Sequence, residues 1–220
     1  MNFLHIEWLH EKNKICQFEF ASRDRNMAFI IAVQSSYFTN DKLQVKEIAV
    51  VGLHKPCISH WIISPPCEFS ELSKLERLHS SNKTVYEHRL SWTDGHSSIE
   101  KVNDCIREIT RRGDVYVDGT FAERDYIENI IGRNSINLQK TKIPSFNQLI
   151  VKYEVMLCGL HSARCEPEAA CALQRALLAQ QWFLSLAPVG LRDPQKLNIL
   201  AMGKGEIDKK GKFIGYDEVD

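Results

Sequence analysis

Two short apolar runs limit most strongly what this chain can become. Met27 to Val33 is continuous in apolar side chains, and Val45 to Leu53 is nearly so. Runs of this length, rich in Ile and Val and separated by polar turns, read as buried strands. Ile58 to Ile63 gives a third. Ser64-Pro65-Pro66 stops it, because proline lacks a backbone donor and restricts the residue before it. The stretch Tyr37 to Lys42, with Asn40-Asp41 inside it, reads as the turn between the first two strands. A hairpin or meander is the expected opening.

After the prolines the apolar period changes from two to between three and four. Phe69, Leu72, Leu75 and Leu78 recur at helical spacing. A helix is expected from Ser97, with Glu100 completing a capping box, Ile99, Val102, Ile106 and Ile109 as its apolar stripe, and Arg111-Arg112-Gly113 closing it. Val115-Tyr116-Val117 reads as a strand. Thr120 and Glu123 form a second capping box, opening a helix that buries Tyr126, Ile127, Ile130 and Ile131 before Gly132. A strand near Ile136 to Leu138 and a helix from Pro144 to Val151 follow. The last helix, with Pro167 at its start, runs through Leu173, Leu177, Leu178 and Trp182 to Pro188. The order predicts an α/β domain, a mixed sheet covered by helices. It occupies residues 28–186, between an N-terminal extension (1–27, with a strand signal from Ile15 to Ala21) and a loose tail (187–220). Trp61, Trp92 and Trp182 read as core or boundary residues, and His79 and His88 as loop histidines.

Charge and cysteine usage narrow the function classes. The 220 residues carry 28 Lys+Arg against 28 Asp+Glu. A zero balance argues against holding nucleic acid by bulk charge and leaves a local basic face as the alternative. No apolar run approaches the roughly 20 residues that span a bilayer, and Met1 to Glu7 lacks the basic and apolar regions of a signal peptide. Seven cysteines, an odd number without such a signal, point to an intracellular location, cytoplasmic or nuclear. There, clustered Cys and His mean metal more often than disulfide.

The cluster is Cys158-Gly159-Leu160-His161 with Cys171 ahead of the last helix. Cys-x2-His puts two ligands on one tight turn, and a helix start favours a thiolate. Zinc takes four such ligands in a tetrahedron, sometimes including a carboxylate. Glu47, on the same strand face as Val45, Ala49 and Val51, can supply the fourth. The residues alone leave three alternatives open: Cys165 as a competing ligand, Glu47 in a salt bridge, and a buried thiol beside a core histidine.

The run from Phe29 to Ser36, a turn, and Lys46 to Val51 resemble the opening of a DEDD-type 3′–5′ exonuclease of the ribonuclease H-like fold. That family holds two divalent metals with an Asp and a Glu two residues apart. The matching positions here are Ala32 and Gln34, and Glu123 lies near the next family Asp. The chain is more similar to the Maelstrom domain, an exonuclease-like fold without the catalytic acids. The similarity rests on Glu47, Cys158, His161 and Cys171-Ala172-Leu173, Ile63-Ser64-Pro65-Pro66, His79-Ser80 with His88, and Asp114 to Ile131. It covers residues 28–186, although nothing in 1–27 matches that family's HMG box. The resemblance implies a structural Zn²⁺ held by Glu47, Cys158, His161 and Cys171, no exonuclease activity, and a role with RNA and protein partners in small-RNA (piRNA) silencing. Weak cleavage of single-stranded RNA, reported for relatives, is a further implication. Arg107, Arg111 and Arg112 are the candidate phosphate contacts. A protein-interaction scaffold and an unconventional nuclease are the alternatives.

Overall fold

The computed structural model describes residues 27–39, 42–53, 57–153 and 171–186, and the backbone of 205–207 and 213–215. Three strands open it: β1 (Met27–Thr39), β2 (Lys42–Gly52) and β3 (Ile58–Ile62). A 3₁₀ turn (Phe69–Glu71) leads into α1 (Lys74–Lys83), which continues as a π-helical turn to His88. Then come α2 (Ile99–Thr110), β4 (Gly113–Asp118), α3 (Phe121–Ile131), β5 (Ile136–Asn137), α4 (Phe146–Lys152) and α5 (Ala172–Leu186). Within the expected loose tail, β6 (Gly205–Ile207) and β7 (Phe213–Gly215) pair antiparallel.

The main sheet has the order β3-β2-β1-β4-β5. β2 runs antiparallel to β1 and β3, whereas β1, β4 and β5 are parallel. Alternation along the strands splits the core in two. Ala28, Ile30, Ala32, Ala49, Val51 and Tyr116 face α4 and α5, where Leu173, Ala176, Trp182 and Phe183 complete a packed layer. Phe29, Ile31, Val33, Ile48, Val50, Val115 and Val117 face α2 and α3, meeting Val102, Ile106, Ile109, Ile127 and Ile130. Both strand faces are covered, and this is why the central runs are apolar at nearly every position.

Five expectations need correction. Tyr37 to Thr39 is strand, not turn: β1 pairs with β2 out to Thr39↔Lys42, because Tyr37 is buried beside Leu72 and Trp92. The pairing shifts register near Gln34, Ser35 and Tyr37. That bulge puts Val45 on the α2–α3 face and not beside Glu47. Leu75 and Leu78 are exposed, so of the four apolar residues at helical spacing only Leu72 is buried while Phe69 packs at the edge. α2 is capped by Ser98, whose hydroxyl accepts from Lys101 N, without a Glu100 box. The Thr120/Glu123 box on α3 is present, and Gly132 ends that helix at φ 68°. Trp92 and Trp182 are buried, as the sequence suggests. His79 lies within α1, and His88 is buried at the end of the π-helical turn, so neither is a loop residue.

Candidate metal centre

Glu47 lies at 0% exposure in the middle of β2. It shares a face with Ala49, whose register partner on β3 is His60. Side chains diagonal across an antiparallel pair are within reach of each other, and His60 Nε2 lies 2.5 Å from Glu47 Oε1. Cys171 enters from the other side, one residue before α5. Its Sγ is 3.3 Å from Glu47 Oε1 and 4.0 Å from His60 Nε2. The first amide of α5, Ala172 N, donates to Glu47 Oε2 at 3.1 Å. A carboxylate at a helix N-terminus is favoured by the exposed amides there.

The ligating atoms of Glu47, His60 and Cys171 all lie within 4.8 Å of one another. Carboxylate oxygen, imidazole nitrogen and thiol sulfur are a zinc donor set. Bond lengths of about 2.0 Å to N or O and about 2.3 Å to S imply tetrahedral edges of about 3.3–3.5 Å. The two sulfur distances bracket that span. The His60–Glu47 contact is shorter, a hydrogen bond that coordination would open by less than an ångström. The group therefore fits a metal ion, with three donors among the described residues.

Of the four ligands expected from the sequence, the structure brings together Glu47 and Cys171. Cys158 and His161, together with the alternative ligand Cys165 and the helix-starting Pro167, lie outside the described residues. His60 was missed. Its strand signal was visible in Ile58-Ser59-His60-Trp61-Ile62, but its proximity to Glu47 depends on the β2–β3 register, which no short motif encodes.

At the carboxyl end of β4 a second group of charges assembles. Asp118 is the register partner of Ala32, and Arg175 Nε from α5 donates to Asp118 Oδ2 at 2.8 Å. Glu123 is buried, its carboxylate accepting from Thr120 N. Burial pushes the Arg175 guanidinium down, but Asp118, Glu123 and Glu47 outweigh it and hold the group above its ordinary value. A fixed cation thus stands among the carboxylates nearest to Ala32.

The arginines divide. Arg107 is exposed but held by neighbours, donating to Asp104 Oδ1 at 2.6 Å and to Ile130 O at 3.2 Å, a tie between α2 and α3. Arg111 and Arg112 are exposed at the end of α2. Arg133 donates to the carbonyls of Thr110, Arg111 and Gly113 beside them. This basic corner adjoins the start of β4, whereas Asp118 ends it, about 17 Å away along the strand.

No protein-family model matches the sequence, and no curated protein is significantly similar to it. Among the described residues, no helix is long and apolar enough to cross a membrane.

Proposed function

We propose that this is a ribonuclease H-like, exonuclease-like domain of the Maelstrom type that has exchanged metal-dependent cleavage for a structural zinc ion and binds single-stranded RNA. The carrying observation is the Glu47–His60–Cys171 group, which links two strands to the start of α5. By the resemblance, Cys158 or His161 would supply a fourth ligand beside these three. With four protein ligands the ion would tether α5 to the sheet and activate no water. The strand order, with β2 alone antiparallel among the five, supports the ribonuclease H-like reading. The apolar Ala32 where β1 stops pairing with β4, beside the Arg175–Asp118 ion pair, supports the loss of two-metal chemistry. Silencing-associated RNA and protein partners in the cytoplasm or nucleus follow from the resemblance alone.

The RNA arm is tested by gel shift with single-stranded RNA at several salt concentrations. Binding should weaken steeply with salt. The double variant Arg111→Ala/Arg112→Ala should lower the logarithmic salt slope by about 1–2. No shift at low salt would leave the protein-interaction scaffold as the better account. The retained-nuclease reading draws on Asp118 and Glu123 near Ala32. Metal-dependent cleavage that vanishes in Glu123→Ala would establish it in place of the degenerate one.

A further inference from the structure

A cavity of about 300 Å³ opens beside the Asp118–Arg175 pair, between the residues after β5, α4 and α5. Leu138, Ile143, Phe146, Leu149 and Ala179 give it an apolar lining. Asp118 and Arg175 reach it from the ends of β4 and α5, each about one-fifth exposed. The crevice beyond the carboxyl ends of parallel strands is where open α/β sheets receive ligands. A mostly apolar pocket with few convergent polar groups is the usual form of a small-molecule site.

The polar edge is specific in kind. Arg175 uses Nε for Asp118 Oδ2; among the described residues, neither its Nη groups nor Asp118 Oδ1 makes a further hydrogen bond. A carboxylate oxygen that accepts therefore stands beside guanidinium groups that donate, above a slot lined by one aromatic ring and aliphatic side chains. An anion is opposed by Asp118 and a cation by Arg175. A flat, neutral heterocycle whose edge carries donors next to an acceptor satisfies both.

We infer that this cavity takes a guanine base. Guanine N1–H and N2–H₂ donate to Asp118, and O6 accepts from Arg175, as arginine commonly reads guanine. Adenine presents an amino donor where O6 would be and has no donor at N1, so it leaves both protein groups mispaired. The inference deepens the RNA-binding reading, on which it rests for the source of the base; a free guanine nucleotide presents the same chemistry.

The test is calorimetric titration of the full chain with GMP, IMP, AMP, CMP and UMP, alongside gel shifts with G-containing and G-free single-stranded RNA. GMP should bind at least about tenfold tighter than AMP, and IMP, lacking N2–H₂, should fall between. Asp118→Asn should abolish the preference. Ala179→Leu, whose added bulk fills the slot, should abolish binding, with melting curves showing both variants folded. A GMP preference with a matching preference for G-containing RNA assigns the strand as source; a preference for the nucleotide alone assigns a free nucleotide. Equal binding of all nucleotides, no binding of any, or a preference that survives Asp118→Asn would overturn the inference. RNA that still shifts with salt dependence in those cases would sink the pocket while sparing the RNA-binding reading.

Discussion

At the scale of single residues, Glu47 decides most. A fully buried carboxylate is costly unless it is paired, hydrogen-bonded or metal-bound. Here its two oxygens meet an imidazole, a thiol and a helix amide. The arrangement distinguishes the metal account from a plain buried ion pair, because each assigns His60 a different job. His60→Ala should strip zinc from the purified protein and lower its melting temperature, whereas Cys67→Ser, outside the group, should change neither. If His60 were only a charge partner, metal content would be the same in both variants. Lys46, the neighbour of Glu47, is buried on the other side of the bulge, donating from Nζ to the carbonyls of Trp92 and Asp94. Desolvation lowers its pKa to about 8 against the pull of Asp94. The loop it grips also needs Gly95, at φ 128°, where a Cβ would stand 2.3 Å from Ile63 O.

At the scale of elements, packing decides which apolar residues matter. Ile106 of α2 is wholly buried, whereas Leu78 of α1 is 56% exposed. Ile106→Ala should cost about 2–5 kcal/mol in chemical denaturation, and Leu78→Ala less than about 0.5 kcal/mol. Equal losses would mean that α1 is seated differently. The π-helical turn after α1 carries a pH signature. His88 is 1% exposed, and its Nδ1 accepts from Leu90 N. Desolvation, joined by Lys83 and Lys46, outweighs Glu47 and Glu87 and lowers its pKa to about 4. The unfolded chain therefore binds this proton near pH 6.5 and the folded chain only near 4. The stability this residue supports is complete above about pH 6.5 and falls by on the order of 3 kcal/mol as pH drops towards 4. The urea midpoint of wild type relative to His88→Gln should decline over that window; parallel curves would contradict it.

Much of this scale was legible in the sequence. The capping box at Thr120/Glu123, the α2 stripe and the paired central strands follow from local chemistry, and the structure has them. The Tyr37–Thr39 strand was not legible, since what holds it, Tyr37 stacked on Trp92, lies 55 positions away in sequence. Nor was the face of Val45, because a bulge resets the alternation on which face assignments depend.

At the scale of the molecule, the sheet separates three candidate sites in space. The metal group joins β2 and β3 to α5, the Asp118 cavity opens at the carboxyl end of β4, and the Arg111–Arg112 corner sits at its other end. Sequence spacing brought out Glu47 and Cys171 because both stand out chemically among apolar neighbours. It gave no hint of His60 or of the Arg175–Asp118 pair, whose members meet only through sheet register and helix docking. With Arg175 fixed among the acids, addition of Mg²⁺ or Mn²⁺ should yield no two-metal cleavage of RNA, and Glu123→Ala should leave that result unchanged. Cleavage by the wild type would mean that the acids still hold metal.

The most direct measurement is the metal content of the natively purified chain, by elemental analysis, beside Glu47→Gln and Cys171→Ser. About one zinc per chain should be found in the wild type, with little in either variant and a large fall in melting temperature, since structural zinc contributes on the order of 10 kcal/mol to folding. A wild type free of metal, or variants that keep both their zinc and their melting temperature, would contradict the account.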